Sequence, residues 1–209
     1  MLSHFKQIKS GHTAEYVLEV RGQITGEARV SFSPAAPQMT LACQGKPEIT
    51  ITPNLSDSVK KMYRRGTWRT APCDIADGTG KKIGSIVKVR QGTFFSSNYY
   101  TELQLDGHIL QIYEVGLGKE GMKYPIYDGN SQLAQVEKSP VVRDNLDEYT
   151  IYSLDEFGEL AALVFSLFLD FNNYRNAGEY AKGKRSLQYV YTRRKEILDK
   201  YDPDFRSRC

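Results

Sequence analysis

The sequence predicts a mainly β protein: a closed antiparallel barrel of short strands threaded by one hydrophobic α-helix, with a further helix on its surface near the C-terminus. Three observations carry this expectation. Roughly ten to twelve runs of β-branched and aromatic residues follow one another, each bounded by turn signals. Tyr and Phe, at 14 and 9 residues, are weighted toward β structure. Late in the chain "ELAALVFSLFLDF" (Glu159 to Phe171) contains "LAALVFSLFL", nine apolar residues of ten, which leave no polar face on a helical wheel. A helix apolar all round must be covered on every side. A flat sheet covers only one face of such a helix and a sandwich leaves no room for it, whereas a barrel wider than about eight strands has an interior to fill.

Along the chain, "EYVLEV" (Glu15 to Val20) and "QITGEARVSFS" (Gln23 to Ser33) alternate and are joined by Arg21-Gly22, a hairpin signal. "MTLACQ" (Met39 to Gln44) and "EITITP" (Glu48 to Pro53) continue the pattern, the second as a period-two run. In "NLSDSVKKMYRRG", Ser56 can cap and Gly66 can end a short helix carrying Val59, Met62 and Tyr63. Asp77-Gly78, Asp106-Gly107 and Asp128-Gly129 then separate strand-like runs, and Asp-Gly supplies the positive backbone angles of tight hairpins. "DIADGTGKKIGSIVK" (Asp74 to Lys88) and "PIYDGNSQLAQVEK" (Pro125 to Lys138) share their aliphatic, Asp-Gly and Lys positions apart from one deletion, a hint of internal repetition. "GTFFSSNYYTELQL", "HILQIYEV" and "DEYTIYSL" (Asp147 to Leu154) supply the remaining strands.

From Phe157 to Phe171, eleven residues of fifteen are apolar. Spanning a bilayer takes about 20, so burial in protein is favoured over a membrane span. Leu, Ala and Phe dominate and the run is too long for one strand, so helix is favoured over strand. The tail opens with "NAGEYAKGKRS". In the "LQYVYTRRKEILDKYDPDF" that follows, Leu187, Val190, Tyr191, Ile197, Leu198 and Tyr201 recur at helical spacing, which predicts a helix packed on the barrel or reaching a partner.

The run of Asp-Gly hairpins, "IYDGNSQLAQVEK" and "DEYTIYSLDEFGELAALVFSLFLD" together resemble the tubby-like superfamily, which includes the tubby C-terminal domain, the LURP-one-related proteins and the phospholipid scramblases. The resemblance spans about Glu15 to Asn173. It implies a twelve-stranded barrel around a central helix over 156–172, within a domain covering 1–175, with 176–209 as a helical extension that the family pattern lacks. It also implies recognition of phosphoinositides or another anionic lipid. No scramblase-type metal motif or palmitoylated cysteine cluster matches, so scrambling and metal dependence are not expected.

Charge is nearly balanced, 28 basic against 25 acidic residues, which argues against nucleic acid as partner. Cys43, Cys73 and Cys209 form no close pair and His4, His12 and His108 stand apart, so neither a disulfide framework, a metal site nor a cofactor is expected. Free thiols and the absence of a signal-peptide apolar region predict a cytoplasmic protein, peripheral to a membrane at most. Candidate phosphate-binding residues are the basic clusters Lys60, Lys61, Arg64 and Arg65, and Lys182, Lys184, Arg185, Arg193, Arg194 and Lys195. Each cluster also reads as solvated surface charge. Asp144, Asp147 and Glu148 form an acidic group before the last strand, open to acid-base work, cation binding or a plain turn. With no phosphate loop, nucleophile elbow or His-carboxylate constellation, the sequence favours a binding module over an enzyme. The alternative is a protein-interaction module that uses the C-terminal helix to meet a partner or a second copy.

Overall fold

In a computed structural model the described residues are 1–33, 36–54, 72–93, 96–144, 146–173 and 185–209. The predicted short helix, with Lys60, Lys61, Arg64 and Arg65, lies outside them, as do Lys182 and Lys184.

The strands are β1 (Leu2–Lys9), β2 (Thr13–Val20), β3 (Gln23–Ser31), β4 (Gln38–Cys43), β5 (Ile49–Pro53), β6 (Cys73–Asp77), β7 (Lys82–Thr93), β8 (Ser96–Leu105), β9 (His108–Tyr113), β10 (Val115–Gly116), β11 (Met122–Asp128), β12 (Ser131–Lys138), β13 (Val141–Arg143), β14 (Glu148–Ser153) and β15 (Arg185–Leu187). Helix α1 spans Glu156–Asn173 and α2 spans Lys195–Leu198. Antiparallel pairing runs β11-β12-β14-β1-β2-β3-β4-β5-β6-β7-β8-β9, and β9 pairs back onto β11. This closes a twelve-stranded barrel, so those strands leave no free sheet edge to recruit another chain.

Hairpin chemistry sets one end of the barrel. Arg21 and Gly22 take φ of 51° and 79°, and Asp106 and Gly107 take 48° and 85°, the two-residue loops that match strand twist. In the β11–β12 turn only Gly129 is positive, at 58°. The Asp77 loop is longer and is held by the Asp77 carboxylate, which accepts from Thr79 N–H at 2.9 Å and Lys81 N–H at 3.1 Å.

The repeat hinted at in the sequence is real at the level of pairing, and it is threefold. In hairpins β2–β3, β6–β7 and β11–β12, spaced four strands apart around the wall, the register slips at one corresponding place, skipping Thr25, Ile83 and Leu133. Beside each bulge an aliphatic residue (Leu18, Ile75, Ile126) faces a small one (Gly26, Gly84, Ala134). Bulges of this kind bend the wall and increase its twist, which helps it close.

Helix α1 fills the interior. Asp155 caps it, accepting the Gly158 N–H at 2.7 Å. Ala161 through Phe171 are all buried, and the one hydroxyl on the way, Ser166, donates to the Ala162 carbonyl at 2.8 Å. At about 1.5 Å per residue the helix is about 27 Å long, comparable with the barrel's height. The inner faces of the strands complete the core with Phe5, Tyr16, Leu41, Ile51, Ile75, Leu103, Ile112, Tyr124 and Ile151. No described helix is long and apolar enough to cross a membrane.

The C-terminal helix is present but short. Leu187 to Tyr191 do not belong to it; they run extended along the barrel wall, because "YVYT" is β-prone and its backbone finds partners there. After α2 a 3-10 segment, Pro203–Arg208, buries Phe205 completely against the barrel. Arg206 forks onto Glu137 at 2.6 and 2.8 Å, and Tyr127 OH donates to the Lys200 carbonyl at 2.8 Å. Under this strap β11 is buried on both faces from Met122 to Ile126, and Lys123 meets Glu137 across the strand pair at 2.6 Å.

Candidate functional site

At the end opposite the tight hairpins, β12 leaves the barrel through Ser139-Pro140 and becomes β13. A turn with Asp144 at φ 54°, closed by Leu146 N–H donating to the Arg143 carbonyl at 2.8 Å, leads into β14. Strand β15 pairs with β13, placing Val141 opposite Leu187 and Arg143 opposite Arg185. Like charges facing each other across an antiparallel pair repel. Both arginines are exposed, and neither makes an ion pair among the described residues. With Gln7, Ser139, Asp144 and Glu148 they line a polar cleft of about 480 Å³.

Beneath the cleft lies a buried polar cluster. Asp147 is 1% exposed and Lys138 2%, and they meet at 2.6 Å as an ion pair without the alignment of a directed hydrogen bond. Lys138 Nζ also donates to Gln188 Oε1 at 2.9 Å, which ties the tail to the wall. Gln7 and Asp147 exchange two hydrogen bonds, each 2.9 Å. Asp170, near the end of α1, accepts hydrogen bonds from Tyr16 OH at close range and from Tyr149 OH at 3.2 Å. Burial, reinforced by the Asp147 charge, pushes the Asp170 carboxyl well above the ordinary carboxylate range, although the two tyrosine hydroxyls pull the other way. Asp147 and Asp170 are closed off from solvent, so they cannot touch a molecule seated in the cleft. Of the three acids singled out in the sequence, Asp144 and Glu148 line the cleft and Asp147 is structural.

From the cleft, the chain continues as an exposed strip. Gln188 N–H donates to the Pro140 carbonyl at 2.8 Å, Gly118 N–H to the Val190 carbonyl at 2.8 Å, and Thr192 N–H to the Gly116 carbonyl at 2.9 Å. The Tyr191 ring lies over Gly118, whose φ of 61° and lack of a Cβ make that approach possible. The backbone is therefore fixed while Leu187, Tyr189, Val190 and Tyr191 stay 53%, 44%, 48% and 67% exposed. Arg185 precedes the strip, and exposed Arg193 and Arg194 follow it.

Of the predicted phosphate-binding residues, Arg185 is exposed at the start of this strip and Arg193 and Arg194 at its end. The charge of Lys195 is answered locally by Asp199, 2.7 Å away. Lys60, Lys61, Arg64, Arg65 and Lys184 lie outside the described residues. Sequence reasoning missed Arg143, because its pairing with Arg185 joins segments about forty residues apart. It also placed Leu187, Val190 and Tyr191 on the apolar stripe of a helix, packed on the barrel or reaching a partner, whereas they precede the helix and are exposed. The strand-like alternation of "LQYVYT" was the available signal. Among the described residues no group of three or more His, Cys, Asp or Glu side chains is placed to hold a metal ion. In comparisons with protein-family models, with curated proteins and with solved structures, nothing matches the chain.

Proposed function

We propose that the protein is a non-catalytic binding module that docks on anionic membrane surfaces, with a phosphate head group taken up between Arg143 and Arg185. The observation that carries this reading is the exposed strip Leu187, Tyr189, Val190 and Tyr191, bracketed by Arg185 and by Arg193 and Arg194. Apolar and tyrosine side chains beside arginines suit the head-group boundary of a bilayer, where the rings meet the interface and the guanidinium groups meet phosphates. Arg143, Arg185 and Arg193 together contribute roughly 3 kcal/mol near an anionic surface, a weak and salt-sensitive attraction by itself. The apolar strip supplies the second contribution that stable docking needs. The tubby-like resemblance agrees with this reading, and membership of that superfamily is part of the proposal.

The test is co-sedimentation with phosphatidylcholine vesicles, with and without phosphatidylserine and phosphoinositide. Binding only to the anionic vesicles is expected, released by high salt and weakened by Arg143→Glu and Arg185→Glu. Equal affinity for neutral vesicles, or no binding at low salt, would sink the idea. The competing reading, a protein-interaction module, would have to use the same strip. The rest of the tail is engaged by its own barrel through Phe205 and Arg206. A concentration-dependent mass change abolished by Leu187→Asp, without vesicle binding, would favour it.

A further inference from the structure

The polar cleft carries charges of both signs. Arg143 and Arg185 line it from the paired strands β13 and β15, and Asp144 and Glu148 line it from the turn after β13 and the start of β14. The signs cancel in number, yet they do not neutralise one another. Arg143, Arg185 and Glu148 are all exposed, and none of the three makes an ion pair among the described residues. Asp144, by contrast, already has a partner within the protein.

Backbone pairing holds these charges apart. The two arginines face each other across β13 and β15, while Glu148 is fixed opposite Lys6 of β1, and its carbonyl accepts the Ser139 N–H at 3.3 Å. Lys6 does not answer Glu148, because its ammonium is taken by Glu19 at 2.7 Å. The polar floor of the cleft is also occupied: Ser139 Oγ accepts the Val141 N–H at 3.1 Å, and Gln7 Oε1 accepts the Asp147 N–H at 2.9 Å. Two guanidinium groups and one carboxylate are left to meet a ligand. A phosphate diester alone would suit the arginines and leave Glu148 repelling it. A multiply phosphorylated inositol ring would bring more negative charge against Glu148 and nothing to pair with it. A phosphoserine head group matches all three charges: its phosphate and its carboxylate each accept a forked guanidinium, and its ammonium suits Glu148.

On the premise of the membrane reading above, we propose that the cleft selects phosphatidylserine, its phosphate and carboxylate held by Arg143 and Arg185 and its ammonium by Glu148. The cleft's volume of about 480 Å³ takes roughly sixteen water-sized groups, about the size of glycerophosphoserine. The free compound offers the same chemistry, and the exposed apolar strip that starts at Leu187 favours the lipid as its source.

The test places the native full chain on phosphatidylcholine vesicles carrying equal fractions of phosphatidylserine or phosphatidylglycerol, two lipids of the same net charge of which only the first has an ammonium and a carboxylate. Phosphatidylserine is expected to bind about tenfold more tightly. Glu148→Gln should abolish that preference and bring the two lipids to equal affinity, and Arg185→Glu should weaken binding to both. Glycerophosphoserine should displace the chain from phosphatidylserine vesicles better than glycerophosphoglycerol does. Equal affinity of the native chain for the two lipids, or a preference that survives Glu148→Gln, overturns the proposal and leaves the membrane reading standing. Binding of glycerophosphoserine in titration calorimetry without binding to either vesicle overturns the membrane reading and assigns the cleft to the free compound. Binding to neither vesicles nor glycerophosphoserine overturns both. The comparison of the two lipids on the native chain decides the matter even where a variant fails to fold.

Discussion

Asp170 occupies a place where a charge is tolerated poorly: fully buried, near the C-terminal end of a helix, with Asp147 close by. Burial, the Asp147 charge and the negative end of the helix dipole all disfavour the carboxylate, while the hydroxyls of Tyr16 and Tyr149 favour it. In the sequence, Glu159 and Asp170 stand at the two ends of the apolar run. In the structure both are buried, and each marks a polar feature at one end of the barrel. Nothing local to "FLDF" announces that Tyr16 and Tyr149, far away in the chain, will meet that carboxyl. Because its folded pKa is raised, Asp170 favours folding fully below the ordinary carboxylate value of 3.8. That contribution is lost as pH rises toward the folded value, since the unfolded chain ionises freely while the folded one resists. Asp170→Asn keeps one acceptor oxygen for the tyrosine hydroxyls, puts an N–H donor where the other oxygen stood, and removes the titration. Its melting temperature, relative to that of the native protein, should therefore rise between about pH 4 and about pH 8. A difference that stays flat over that range contradicts this account.

Among the elements, the central helix was the most legible and β1 the least. Eleven apolar residues in fifteen leave few alternatives for Phe157 to Phe171, and the helix indeed has no exposed side between Ala161 and Phe171. Strand β1 escaped notice because its inward positions are Ser3, Phe5 and Gln7, so polar residues stand where an alternating pattern would show aliphatics. Gln7 points inward because it serves Asp147, a long-range partner that no window of sequence contains. The tail failed differently: its helical spacing was genuine arithmetic, but the backbone found carbonyls and amides on Pro140, Gly116 and Gly118 and went extended instead. If the helix is the barrel's filler, a charge on it cannot be accommodated. Leu163→Asp or Phe165→Asp, the latter facing Tyr124 at a ring distance of 5.2 Å, should each cost several kcal/mol and abolish the cooperative thermal transition. A soluble variant of either kind with a native-like melt would show that the helix is not held as described.

At the scale of the whole molecule, the barrel separates two chemistries along one axis. The hairpin end is built from short loops whose glycines and Asp-Gly pairs can be read directly from the residues, and these turns announce antiparallel neighbours wherever they occur. The opposite end carries the longer connections and the tail, and its cleft arises only when β13 and β15 are brought together. Fold class, closure and helix were therefore legible, while the candidate face was legible only in part, through Arg185, Arg193 and Arg194. The central functional claim is that this face, and not the rest of the barrel, meets the anionic surface. Hydrogen exchange read by mass spectrometry, with and without anionic vesicles, tests it most directly. Vesicles should slow exchange over Val141 to Arg143 and Arg185 to Thr192 while leaving the hairpin-end loops at Arg21-Gly22, Gly78 to Lys81 and Asp106-Gly107 unchanged. Slowing confined to those hairpin loops, or no slowing anywhere while the protein is vesicle-bound, would contradict it.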